Sequence, residues 1–204
     1  VVNKQALAEK FGFEFNEDIP IIGLISRLYD SKGIDLFEKI LPDLLKLDVQ
    51  IIVLGTGEKN YHTVFDQMAR KHHKKFACYL GFNDDLAHLI EGGSDILLMP
   101  SKYEPCGLNQ MYSLNYGTVP VVRETGGLAD TVKKFNEKTK EGTGFVFQKY
   151  NAGDFLAEIK RALKVYQDKE TWNKIIKAGM KEDFSWNSSA KKYIELYKTI
   201  LDEE

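Results

Sequence analysis

The sequence offers its chemistry through two cations and a series of glycine-rich turns. Arg27 and Lys32 flank the turn Ser26-Arg27-Leu28-Tyr29-Asp30-Ser31-Lys32-Gly33, just ahead of a helical pattern. Backbone N–H groups and the dipole at a helix start favour negative charge, and an arginine adds a two-pronged fork for an oxyanion. The pair therefore offers an anion site, although two solvated cations beside a turn would look the same. In Leu54-Gly55-Thr56-Gly57-Glu58, Gly55 and Gly57 allow a tight turn and a close approach of backbone to ligand. This is neither a complete G-x-G-x-x-G fingerprint nor a G-K-[ST] phosphate loop, and glycines in such turns often serve packing alone.

Two further turns have the same character. In Met99-Pro100-Ser101-Lys102-Tyr103-Glu104-Pro105-Cys106-Gly107-Leu108, Pro105 suits the first position of a helix. Glu104 would then sit beside a helix N-terminus, where a carboxylate is stabilised, and Gly107 would admit a ligand to the backbone. Taken alone, the segment also reads as a simple helix cap. In Arg123-Glu124-Thr125-Gly126-Gly127-Leu128, Thr125 can cap a helix and the two glycines expose N–H groups, or the segment is a flexible loop. The four histidines, His62, His72, His73 and His88, show no ligand spacing and are expected to be solvated. No D-x-D occurs, so no metal is expected, and leaving-group charge would be met by cations and helix N-termini.

Each turn needs a strand before it and a helix after it. Apolar runs at residues 19–26, 49–54, 76–80, 96–100, 119–122 and 144–147 are mostly continuous rather than alternating, as in strands buried on both faces of a parallel sheet. Helical pattern fills residues 33–47, 60–73, 84–92, 107–116, 127–135 and 154–167, and two more helices follow at 169–180 and 188–201. Alternation of this kind specifies an α/β fold: a doubly wound, parallel, Rossmann-like sheet of about six strands with helices on both faces. Ligands of such sheets bind at the carboxyl ends of the strands, where the turns above lie.

Composition narrows the class. With 204 residues, 43% of them hydrophobic and 28% charged, the chain can bury a domain core. A net charge of −2 gives no general attraction to nucleic acid or an anionic membrane, and no apolar run is long enough for a membrane span. Cys78 and Cys106 alone make no disulfide framework, which points to a reducing, cytoplasmic setting. Val1 opens the chain in place of a methionine, from which a piece of a longer protein is expected.

Read together, the turns resemble the C-terminal domain of the ADP-glucose-dependent glycogen and starch synthases of bacteria, archaea and plastids. The resemblance is carried by Ser26-Arg27-Leu28 with Lys32-Gly33, by Gly93-Ser94-Asp95-Ile96, and by the run from Pro100 through Glu104-Pro105-Cys106-Gly107-Leu108. It continues through Tyr116-Gly117-Thr118-Val119-Pro120, Thr125-Gly126-Gly127-Leu128-Ala129-Asp130-Thr131-Val132, Gly144-Phe145-Val146-Phe147 and Phe184-Ser185-Trp186, in the family's order and over nearly the whole chain.

The resemblance implies the C-terminal half of a glycosyltransferase with two facing Rossmann domains. The donor, ADP- or UDP-glucose, would sit mainly on this half, and an α-glucan acceptor mainly on an N-terminal domain absent from this sequence. That domain's Lys-Thr-Gly-Gly-Leu loop has no counterpart here, because Thr125 follows Glu124. Residues 1–183 would form the donor domain, and residues 184–204 a helix docking toward the other domain, with Trp186 as its anchor. Arg27 and Lys32 would hold the diphosphate and Glu104 the glucosyl hydroxyls. Cys106, Gly107 and Leu108 would bind through their backbone, with Thr125 and Gly126 near the phosphates. Phe82 stands where the family often has a base-stacking tyrosine, so stacking is kept and the hydroxyl lost. The family retains anomeric configuration, and no carboxylate here is an obvious covalent nucleophile. Alternatives of the same architecture are sucrose or trehalose synthases and nucleotide-sugar epimerases, and a non-catalytic nucleotide-binding module is a third reading. A nicotinamide dehydrogenase is poorly supported without a dinucleotide fingerprint.

Overall fold

A computed structural model describes residues 1–202 of the chain. The strands are β1 (Ile21–Ile25), β2 (Gln50–Leu54), β3 (Phe76–Tyr79), β4 (Ile96–Met99), β5 (Val119–Arg123) and β6 (Phe145–Phe147). They form one sheet in the order β3-β2-β1-β4-β5-β6, and every neighbouring pair is parallel. The helices are α1 (Val2–Lys10), α2 (Ile34–Leu44), α3 (Lys59–Lys71), α4 (Asp84–Gly93), α5 (Asn109–Tyr116), α6 (Gly126–Thr131), α7 (Ala152–Tyr166), α8 (Lys169–Gly179) and α9 (Trp186–Asp202).

Successive strand residues point to opposite faces, and both faces are covered. Ile22, Leu24, Ile51, Val53, Ile96, Leu98 and Val121 pack with Phe37 of α2, Phe65 of α3, Phe155 of α7 and Trp172 of α8. On the other face Ile21, Ile52 and Leu54 meet Leu7 of α1 and Ile90 of α4, while Leu97, Met99 and Val122 meet Leu128 of α6. Each fully buried aliphatic or aromatic side chain of this kind contributes about 1.5–3 kcal/mol. Asn83, Asn151 and Asp168 cap α4, α7 and α8 by accepting from Leu86, Asp154 and Thr171.

α1 carries little helical signature in sequence, since Leu7 and Ala8 are its only buried apolar residues. It is held by charge as well as packing. The Lys4 ammonium lies 3.0 Å from the Asp95 carboxylate and donates to the Glu17 carbonyl at 2.9 Å. Asp95 also accepts from the Ile21 N–H at 2.8 Å, which ties the amino ends of β1 and β4 together.

Three expectations change. α5 starts at Asn109, so Pro105 lies outside the helix, and the stretch before it is a turn. The reason is Gly107, whose φ of 75° is left-handed and cannot continue a right-handed helix. α6 ends at Thr131, and the next residues pair instead, through a parallel bridge from Lys134 to Gly144. Trp186 is 89% exposed, so the anchor expected of it is not found among the described residues. α9 is exposed throughout residues 190–201, and residues 203–204 of the expected C-terminal segment lie outside the described residues.

Candidate active site

The strand order reverses between β1 and β4. Chain leaving β1 turns toward β2 and chain leaving β4 turns toward β5, so the two exits diverge and open a crevice. A cavity of about 360 Å³ lies there, lined by Arg27, Lys32, Ser101, Glu104, Gly107 and Leu108 among others. A second hollow of about 220 Å³ adjoins it, lined by Leu54, Gly55, Phe82 and Ala87. Ser26, Arg27 and Asn109 line both, so the two form one continuous cleft. The smaller compartment is mainly apolar in lining, and Phe82 stands at it 86% exposed.

Charges inside the cleft are unevenly matched. Lys32 Nζ donates to Glu104 Oε2 at 2.6 Å, and Ser101 Oγ donates to the same oxygen at 3.1 Å. Glu104 is 8% exposed, so this pair is largely shielded from water. Arg27 is exposed and has no carboxylate within ion-pair distance among the described residues; its guanidinium lies 6.0 Å from the Tyr29 ring. An anion entering the cleft therefore meets one free cation at its mouth and a second cation already engaged by a carboxylate.

The turns are held from behind by groups with no visible motif in sequence. Arg123 Nε donates to the Ser101 carbonyl at 2.8 Å, its terminal nitrogen donates to the Lys102 carbonyl, and its guanidinium lies 5.7 Å from the Tyr150 ring. The Tyr150 hydroxyl is 2.9 Å from the Asp30 carbonyl and 2.5 Å from the Asp35 carboxylate, and Tyr61 donates to the Asp30 carboxylate. Burial, then hydrogen bonding to these aspartates, raises both phenols above their ordinary value, which keeps them protonated donors. Together they fix the loop that carries Lys32. Asn109 donates to the Ile25 carbonyl at 3.1 Å and joins the end of β1 to the start of α5. These partners come from distant parts of the chain, so only the fold brings them together.

Not every sequence candidate reaches the cleft. A Cβ on Gly57 would lie 2.3 Å from the Leu28 carbonyl oxygen, so this glycine serves the close approach of two chain segments. Its N–H donates to His62 Nε2 at 3.1 Å, so His62 is half-buried and engaged rather than solvated. Cys106, Thr125 and Gly126 line neither hollow. Thr125 stands at the N-cap of α6 but makes no side-chain capping bond. The Gly127 N–H donates to the Glu104 carbonyl at 3.0 Å, so this loop supports the Glu104 backbone from behind. Among the described residues no group of His, Cys, Asp and Glu is arranged to hold a metal ion, and no helix is long and apolar enough to cross a membrane.

Residues 6–182 match the family model described as glycosyl transferases group 1. The chain is 50% identical over 198 residues to the glycogen synthase of Exiguobacterium sibiricum, covering 97% of this chain and 41% of that protein. It is 48% identical over 200 residues to the glycogen synthase of Bacillus cereus strain B4264, covering 98% and 42% respectively. The chain thus spans about two fifths of the length of these relatives. Among solved structures, the catalytic domain of starch synthase IV from Arabidopsis thaliana bound to ADP and acarbose superposes with a TM-score of 0.88 at 34% identity, covering 97% of this chain and 42% of that one. Anabaena HepE in complex with UDP-glucose shares the fold, with a TM-score of 0.70 at 17% identity over 97% of this chain and 53% of that one.

Proposed function

The chain belongs to the group 1 glycosyl transferases, and from that premise we propose that it is the donor-binding domain of a glycogen or starch synthase. It binds ADP- or UDP-glucose, without a metal, for retaining transfer of glucose to the non-reducing end of an α-1,4-glucan in the cytoplasm. The observation that carries this reading is the meeting of Arg27, Lys32, Glu104 and Gly107 in one crevice where the strand order reverses.

In this reading Arg27 takes the donor diphosphate as the free cation at the mouth. Lys32 neutralises charge on the departing nucleotide diphosphate once the ligand competes for its bond to Glu104. Glu104, released in part, accepts from hydroxyls of the glucosyl group. The apolar compartment beside Gly55 takes the base, with Phe82 as a stacking face. Charge that develops on the leaving phosphate is met by preorganised donors, the arrangement that lowers such barriers most. The acceptor binds a second domain, and residues 184–204 dock toward that domain. The support for docking is the face of α9 formed by Tyr193, Ile194, Tyr197, Ile200 and Leu201, all exposed here.

Calorimetry with ADP, UDP and NAD tests the donor assignment: ADP or UDP binds and NAD does not, whereas preferential binding of NAD overturns it. Radiolabelled transfer from ADP-glucose to glycogen tests the division of labour. Donor and acceptor held in attack geometry can supply roughly 7–11 kcal/mol of a barrier, so a donor domain alone turns over far more slowly than a two-domain relative. Comparable turnover would mean that this chain holds the whole catalytic apparatus.

A further inference from the structure

Gln110, in the first turn of α5, is fully buried just behind the crevice. Its Nε2 is 3.0 Å from the Cys106 carbonyl, 3.0 Å from the Gly107 carbonyl and 3.1 Å from Thr131 Oγ1. The Thr131 hydroxyl gives its own proton to the Gly127 carbonyl at 2.5 Å, so toward Gln110 it can only accept. The amide orientation is thereby decided. Turned over, the Gln110 oxygen would face two carbonyl oxygens and a hydroxyl with no proton to offer. The consequence appears at Oε1, which is buried and has no hydrogen-bond partner among the described residues.

In a trans peptide the C=O and the N–H point in opposite directions. Drawing the Cys106 and Gly107 carbonyls inward therefore turns the N–H groups of Gly107 and Leu108 outward. Neither of those N–H groups has an acceptor among the described residues, and Gly107 and Leu108 both line the crevice. The left-handed φ of 75° at Gly107 lets both carbonyls converge on one nitrogen.

We propose that Gln110 is a positioning residue for the distal phosphate of the donor: it sets two consecutive peptide planes so that the Gly107 and Leu108 N–H groups face the ligand. Gln110 itself touches no substrate. The inference rests on the reading of the crevice as a nucleoside-diphosphate site bound in part through the backbone of this turn, and it adds the buried side chain that aims that backbone. An acceptor left buried without a partner works against stability. Its presence fits a group kept for what its nitrogen does to the turn.

The test compares ADP with AMP, which lacks the distal phosphate, by calorimetry on the chain and on Gln110→Met and Gln110→Asn, with thermal melts to show that each is folded. The first variant keeps the volume, and the second keeps an amide that falls one carbon short. Both are expected to weaken ADP about tenfold or more, the scale of a hydrogen bond to a charged group, while AMP changes by less than about threefold. The preference for ADP over AMP therefore shrinks. A folded variant that keeps the original preference overturns the proposal, and so does one that loses both ligands equally, because that is general loosening. If Gln110→Met does not fold, Gln110→Asn carries the same comparison. Failure of the unaltered chain to prefer ADP overturns the crevice reading, and this inference with it. Normal preference there with unchanged preference in the variants overturns the inference alone.

Discussion

At the amino ends of the strands, Lys4 and Asp95 meet at 3.0 Å, largely shielded from water beside Tyr166, and the Asp95 carboxylate also takes the Ile21 N–H. At the carboxyl ends, Arg27 is exposed without a carboxylate partner, and the Gly107 and Leu108 N–H groups have no acceptor among the described residues. Both regions sit on the same two central strands, yet the first satisfies its charges internally, whereas the second pairs Lys32 with Glu104 and leaves Arg27 open. Burial pushes the Asp95 carboxyl above its ordinary value, against the pull of Lys4. The difference separates scaffold from site: a buried polar group must find its partner within the fold, whereas a binding surface keeps donors unspent for a ligand.

If the amino edge is scaffold, Asp95→Ala should act on stability and leave the ligand alone. It strands the Lys4 ammonium, and breaking one side of a buried pair costs about 3–5 kcal/mol. Urea denaturation should show that loss, while ADP affinity of the folded fraction stays as it was. A fall in affinity with little loss of stability would erase the distinction. The mirror experiment is Arg27→Ala, which should weaken ADP by roughly 1.5–3 kcal/mol, the range for hydrogen bonds to charged groups, with the melting temperature unchanged. A shift in melting temperature without a shift in affinity would make Arg27 part of the scaffold.

Phe82→Ala is expected to cost less than Arg27→Ala in ADP binding, within the range of about 1–3 kcal/mol for a base stacked on an aromatic ring. Unchanged affinity would remove the apolar compartment from the site. The two cysteines give a finer contrast. Burial, with Asp66 nearby, raises the Cys78 thiol to about 11, while Cys106 is exposed in the turn before α5. Iodoacetamide at about pH 8 should label Cys106 first, because the thiolate is the reactive form and Cys78 holds almost none of it. Labelling of Cys78 ahead of Cys106 would contradict the burial described. The smallest effect belongs to Trp186→Ala, which in this chain should change stability by less than about 0.5 kcal/mol, as for a surface substitution. A larger loss would mean that α9 packs on the domain after all.

The period of the apolar runs was enough to specify six parallel strands with helices between them, because a strand covered on both faces must be apolar throughout. The boundaries of β2 matched the run at residues 49–54 closely for that reason. The turns with Arg27, Lys32, Glu104 and Gly107 stood out through the resemblance to the glycogen and starch synthases, because each turn taken alone also reads as a cap, a packing loop or a pair of solvated cations. α1 was not legible, since its buried apolar residues are only Leu7 and Ala8, and a lysine reaching Asp95 supplies part of its hold on the fold. The start of α5 was misread because Pro105 obeys a local rule that the left-handed Gly107 overrides. Tertiary structure alone decided which glycines serve the close approach of two chain segments, as Gly57 against Leu28 illustrates. It alone also decided that Tyr150 would brace a loop 120 residues earlier and that Gln110 would hold the turn beside it. The physical reason is range. Helix and strand periods and turn chemistry act over a few residues and are written in their order, whereas a buried hydrogen bond joins whichever groups the packed sheet brings within about 3 Å.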